Sequence, residues 1–313
     1  MPVRVTKDNE PVQHQAPPSQ PRERKQLVWE LREPEYDLSD LILEPETRAQ
    51  LMDVVSYFQN RDLLFETWGL AQRFPRQLCL AINLYGAPGT GKTMAAHGIA
   101  KAIGLPMICV DYAEIESKYV GETAKNLSDL FRVAREKQAV IFFDEADALL
   151  SKRVTHMTSA TDVSVNQTRS VLLNLLNHYQ GVILFATNFI QNFDGAFLRR
   201  IKFHIQFHLP NQELREHLWR RYIPDKMPSQ ADPARLAAEF DGVSGSDIAN
   251  AVFSAAVAAA RNGEPLVSQK RFEEAIRTAI AVKQANAAGN VTVTTRRLSQ
   301  EEVQQRMGGN AVP

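Results

Sequence analysis

Cysteine is scarce in this chain. Cys79 and Cys109 are its two cysteines in 313 residues, too few for a disulfide framework, and each lies in an apolar run, as expected of small buried hydrophobes in a reducing compartment. Net charge is absent as well. Lys plus Arg and Asp plus Glu number 36 each, so no global field draws the protein to nucleic acid, and no direct nucleic-acid partner is expected. Long hydrophobic runs are missing too. The alanine-rich stretch "IANAVFSAAVAAAR" is interrupted by polar residues at helical spacing, no segment reaches the length of a membrane span, and the N-terminal "MPVRVTKDNEPVQHQAPPSQPRERK" lacks the apolar core of a signal peptide. The expectation is a cytoplasmic chain with no membrane partner. What is present is 44% apolar residues, enough for one large or two modest domains with well-filled cores.

The pattern along the chain divides it in four. Residues 1–35 are rich in Pro, Gln and mixed charge and read as a disordered arm. Residues 36–210 open with helical periodicity in "YDLSDLILEPETRAQLMDVVSYFQN" and then alternate short apolar runs with helical stretches. The strand candidates are "CLAINLYG", "MICVD", "AVIFFDE", "VILFATN" and "FHIQFHLP". Runs apolar on both faces and separated by helices predict an α/β fold with a parallel sheet covered by helices on both sides. Residues 211–286 show only helical signals and read as a small all-helical domain, and residues 287–313 as a flexible tail.

One stretch carries specific chemistry. In "NLYGAPGTGKTMAA", residues Gly86, Ala87, Pro88, Gly89, Thr90, Gly91, Lys92 and Thr93 satisfy G-x-x-x-x-G-K-[S/T] between a buried strand and a helix. This is the phosphate-binding loop of a P-loop nucleotide-binding sheet. Glycine is needed there because the loop turns its backbone N–H groups inward around phosphate oxygens, with positive φ and no room for Cβ atoms. Lys92 would reach the β- and γ-phosphates of ATP, and Thr93 would ligate Mg²⁺ at a helix start whose dipole favours anions.

A second constellation bears on hydrolysis. "AVIFFDEADALL" is a strand that carries Asp144 and Glu145 out at its carboxyl end, beside the loop. Asp144 is expected to hold Mg²⁺ and Glu145 to orient and deprotonate the attacking water. A further strand ends at Asn188, whose amide is placed to contact the γ-phosphate or that water.

These motifs in this order, "GAPGTGKT", "FFDEAD", "ATN" and "FDGAFLRR", resemble the AAA+ ATPases, and the AAA subfamily proper, from about residue 37 to 285. The resemblance implies an AAA+ module: a P-loop NTPase sheet sandwiched by helices, followed by a helical lid. It makes Asn188 the first sensor, and Arg199 and Arg200 the fingers that reach a neighbouring subunit's ATP. Here "RRIKF" departs from the family's usual finger spacing, so which arginine inserts stays open. "GVSGSDIANAV" resembles the lid segment, which places Gly245 and Ser246 beside the nucleotide. Tyr222 falls near an adenine-side position of the family, or is a core tyrosine.

The resemblance further implies a homo-oligomeric ring, six subunits by analogy, and a first pore loop in "EIESKYVGETAKNLSDLF" with Tyr119 and Val120 gripping a client polypeptide. A lone aromatic such as Tyr119 also fits a core position. The loop with Lys152, Arg153 and His156 reads either as a second pore loop or as a solvated connector. The chain is similar to small prokaryotic remodellers of HORMA-domain signalling proteins, which implies such a client. The competing readings are a nucleotide-gated switch or scaffold and an unfoldase feeding a protease.

Overall fold

The strand Val140–Asp144 shows how the sheet is built, since its side chains alternate between two cores. Val140 and Phe142 join one cluster while Ile141 and Phe143 join the other, all of them buried. Both faces are therefore covered. The computed structural model describes residues 29–73, 79–111, 122–151, 160–188 and 193–289. In chain order the strands are β1 Leu80–Gly86, β2 Met107–Asp111, β3 Val140–Asp144, β4 Val182–Thr187 and β5 Phe203–Phe207. They form one sheet in the order β2-β3-β4-β1-β5, every pair parallel. The five strand candidates are all present and in the predicted direction.

Two helices cover one face: α1, Pro45–Gln59, through Leu51 and Val54, and α2, Lys92–Ala102, through Ala95, Ala96 and Ile99. The other face is covered by α3, Glu122–Glu136, through Leu127, Leu130 and Phe131. Beyond β3 come a single turn, α4, Asp147–Leu150, and the long α5, Ala160–His178, which adds Leu172, Leu173 and Leu176 to that same core. A short α6, Gly195–Leu198, precedes β5.

Four helices then form a second core: α7 Gln212–Tyr222, α8 Pro233–Glu239, α9 Gly245–Arg261 and α10 Gln269–Gly289. Its centre is Trp219 edge-on to Phe272, with ring centroids 6.2 Å apart. Arg215 ties the chain entering this core to its second helix and the turn after it. Its buried guanidinium donates to Pro210 O at 2.8 Å and to Ala237 O, and pairs with Asp241.

Two stretches differ from the sequence reading. The segment from Trp29 to Glu35, assigned to a disordered arm, lies along the outer edge of the sheet: Arg32 and Met107 exchange both backbone hydrogen bonds, and the Trp29 indole donates to Asp129. The exposed edge of β2 offers unpaired backbone groups, and this strap satisfies some of them. The stretch before α1 was read as helical from the start. Instead, after one 3₁₀ turn at Leu38–Asp40 the chain runs extended, with Glu44 at φ −59° and ψ 147°. Pro45 at the first helical position disfavours helix at the residue before it.

Candidate functional site

Backbone geometry explains the glycines of the phosphate loop. Gly86 has φ 146°, and a Cβ there would stand 2.0 Å from Phe207 O, so a side chain would force β5 away from β1. Gly89, at φ 76°, is approached so closely by the helical domain that a Cβ would lie 1.9 Å from Ser246 Oγ. Gly91, at φ 98°, is the N-cap of α2. Lys92 follows, buried, and its Nζ donates to Gly86 O at 2.9 Å, Ala87 O at 3.0 Å and Asn188 Oδ1 at 3.0 Å. Thr90 Oγ1 closes the loop onto Ala87 O at 2.8 Å. Burial pushes the Lys92 ammonium below the usual lysine range, opposed by the charges of Asp144 and Asp147.

The acidic strand end arrives at the same place. Thr93 Oγ1 donates to Asp144 Oδ2 at 3.0 Å, bringing together the two residues expected at the metal. Glu145 is exposed to the cavity, and its φ of 50° is a left-handed conformation rare for a side-chain-bearing residue. Such backbone persists only where the surroundings over-determine it, and it concentrates at functional sites. Here the Glu145 N–H donates to Asp144 Oδ1 at 3.0 Å, and Ala146 N to Ala186 O at 2.9 Å.

A cavity of about 840 Å³ opens over this cluster. Pro88, Gly89, Thr90, Gly91, Lys92, Thr93, Asp144, Glu145 and Asn188 line its floor, and Gly245 and Ser246 of α9 line its opposite wall. The sequence reading missed part of that wall. Asp40, Leu41, Ile42, Leu43 and Glu44 line it as well, and the Asp40 carboxylate pairs with Arg221 of α7 at 3.0 Å. The apolar run "LIL" ending in "EP" suits an extended chain better than a helix, but carries no sign of where that chain runs. Tyr222 lines the same cavity and also packs against the helical core.

The start of α9 is fastened by a capping box. The Ser244 N–H donates to Asp247 Oδ2 at 2.8 Å, and Ser244 Oγ accepts from Asp247 N at 3.3 Å. Next to it, Ser246 N donates to Gly89 O at 3.3 Å, so the cap positions the wall against the loop. Ser244→Ala is expected to cost about 1 kcal/mol, read as a lower melting temperature at neutral pH. Burial raises the Asp247 carboxyl, but the Ser244 N–H and hydroxyl and Lys283 outweigh it and hold the carboxyl below its ordinary 3.8. The stabilisation is thus present above that value and lost as pH falls through the depressed folded pKa. The gap between wild type and Ser244→Ala should narrow under acid. A gap independent of pH would separate Asp247 from the cap.

Arg199 and Arg200 follow α6. Arg199 is exposed and its Nε donates to Gly195 O at 3.2 Å, whereas Arg200 is half-buried, with Nε on Asn177 Oδ1 at 2.8 Å and NH1 on Ala196 O at 2.9 Å. Neither lines the cavity of its own chain. Tyr119 and Val120 lie outside the described residues, as do Lys152, Arg153 and His156. Cys79 and Cys109 are free thiols, half-buried rather than fully buried, and burial pushes Cys79 up to about 12. Among the described residues, no helix is long and apolar enough to cross a membrane.

Residues 82–209 match the AAA family, described as ATPase family associated with various cellular activities. The chain is similar to the ATP-dependent zinc metalloprotease FtsH 4 of Sphaerobacter thermophilus, 31% identical over 261 residues, which are 80% of this chain and 38% of that protein. It is similar also to the 26S proteasome regulatory subunit 8 homolog B of Arabidopsis thaliana, 34% identical over 235 residues, 72% of this chain and 55% of that one. The chain thus spans between about two fifths and just over half the length of these relatives. ATP and Mg²⁺ are the ligands the family implies. The donors fit them, with positive-φ glycines and Lys92 for the phosphates and paired hard oxygens on Thr93 and Asp144 for the cation. With its phosphate loop, acidic strand end and Asn188 converging on one cavity walled by α9, the chain carries an AAA domain over residues 82–209.

Proposed function

We propose that the protein hydrolyses ATP with Mg²⁺ and uses the cycle, in a ring of identical subunits, to pull on a segment of a protein partner. The observation that carries this reading is the convergence of Lys92, Thr93, Asp144, Glu145 and Asn188 on one cavity. Lys92 and the loop amides bind the phosphates, and Thr93 and Asp144 hold the cation, which neutralises charge on the phosphoryl oxygens. Glu145 takes the proton of the attacking water, and Asn188 orients the water or the terminal phosphate. The remaining positive charge comes from Arg199 or Arg200 of a neighbour, because neither lines the cavity of its own chain. Hydrolysis is then coupled to assembly, with six subunits by analogy.

Tyr119 and Val120 form the grip on the client. The similarity to small remodellers favours a HORMA-domain protein as that client. The relatives named above, a metalloprotease and a proteasome subunit, favour a second reading, an unfoldase that delivers its client to a protease. Glu145→Gln, which should hold ATP and client together, is the variant with which to capture the client and separate the two.

The test of the motor itself is Tyr119→Ala. Basal ATPase and assembly should persist, while stimulation by an unfolded protein such as casein, and remodelling of the captured client, disappear. Were Tyr119 a core residue, the substitution would instead cost about 3–5 kcal/mol of stability, seen as a fall in melting temperature. Client remodelling that survives in proportion to the folded fraction would return the nucleotide-gated switch to first place.

A further inference from the structure

The regular pairing of β3 with β4 ends at Phe143 opposite Phe185. Past that point β3 turns through the left-handed Glu145, yet two more contacts to β4 follow. Ala146 N donates to Ala186 O at 2.9 Å, and the Asn188 N–H is received by the Asp147 carboxylate, with both oxygens at 3.2 Å. The second is a side chain acting where a backbone carbonyl would otherwise stand. It spans 41 residues of sequence and joins the residue two after Glu145 to Asn188, whose own Oδ1 accepts from Lys92 Nζ at 3.0 Å. A carboxylate is a stronger acceptor for an N–H than the neutral carbonyl it replaces.

We propose that Asp147 is a positioning residue: by clasping the Asn188 backbone it fixes the separation between Glu145 on one strand end and Asn188 on the next, and so aligns the proton acceptor and the orienting amide on one water. The inference rests on reading the cavity as an ATPase site. It requires geometry and not charge. Asp147 is half-buried at the head of α4 and does not line the cavity; its charge also bears on Lys92, and the variants below separate that from its contact with Asn188. A misplacement of about 1 Å at a reacting group can cost on the order of a hundredfold in rate, and here the clasp ties the two strand ends directly at the site.

Steady-state ATP hydrolysis and nucleotide affinity, measured for wild type, Asp147→Ala, Asp147→Asn, Asn188→Ala and the double variant Asp147→Ala with Asn188→Ala, test this. Asp147→Ala should lower kcat by about tenfold or more while nucleotide Kd stays within about threefold, because only alignment is lost. Asp147→Asn keeps one oxygen for the Asn188 N–H and should recover most of the rate. The double variant should be no slower than the worse single variant, since both changes remove the same alignment. Additive losses in that cycle would overturn the proposal. So would a loss expressed in Kd, or an Asp147→Asn variant as slow as Asp147→Ala, either of which makes the carboxylate a charge acting on Lys92. If Asp147→Ala fails to fold, the amide variant alone decides between position and charge. A wild type without hydrolysis, or a Glu145→Gln variant as fast as wild type, fails the ATPase reading and takes this proposal with it; normal wild-type turnover with an additive cycle fails this proposal only.

Discussion

Glu145→Gln is expected to abolish turnover while nucleotide binding and ring assembly persist. The amide keeps the size and shape of the carboxylate but accepts no proton, so the attacking water loses its base, a contribution of roughly 10²–10⁴-fold in rate. The fold should tolerate the change, because Glu145 is exposed and the interactions that hold its left-handed backbone run through its own N–H and that of Ala146. Phosphate release at saturating ATP is the measurement. A variant that keeps turnover near wild type would show that the base lies elsewhere.

Arg199→Ala should cost turnover by two orders of magnitude or more, on the scale of about 10³–10⁵ for an arginine supplied in trans. Nucleotide affinity of an isolated subunit should not change. Arg199 lies outside its own cavity and is exposed, with its Nε on Gly195 O one helical turn away, so little of the subunit depends on it. Arg200 is expected to behave differently. Its bonds to Asn177 and Ala196 anchor the end of α6 to α5, and Arg200→Ala should lower the melting temperature whatever it does to the rate. The pair of variants thus answers which arginine inserts. Unchanged turnover in Arg199→Ala, with a loss confined to Arg200→Ala, would assign the finger to Arg200.

The parts of this molecule legible in sequence are those whose cause is local. The strand run "VIFF" announces itself because both faces of a central parallel strand are buried, and the phosphate loop because its glycines answer to φ values and to contacts within a few Å. Asp144 and Glu145 could be placed because a strand end beside that loop has one outlet. The illegible parts depend on distant partners. Nothing in "LSDLILEP" says that Asp40 will meet Arg221 across 181 residues, or that this extended stretch walls the cavity. Nothing near Trp29 announces Asp129 or the free edge of β2. Ser246 was placed by resemblance, and its approach to Gly89 follows from how the helical domain folds back onto the loop. Asp147 stood in the quoted "FFDEAD" without a role, because its contact with Asn188 exists only once β3 and β4 are paired.

The most direct test of a site completed across subunits is to mix Glu145→Gln and Arg199→Ala subunits, each inactive alone, and to measure ATP hydrolysis. An Arg199→Ala subunit keeps its base, and a Glu145→Gln neighbour brings the missing arginine. In a randomly assembled equal mixture, about a quarter of the sites then carry both, and roughly that fraction of wild-type activity should return. A mixture that assembles normally and stays inactive would contradict the account.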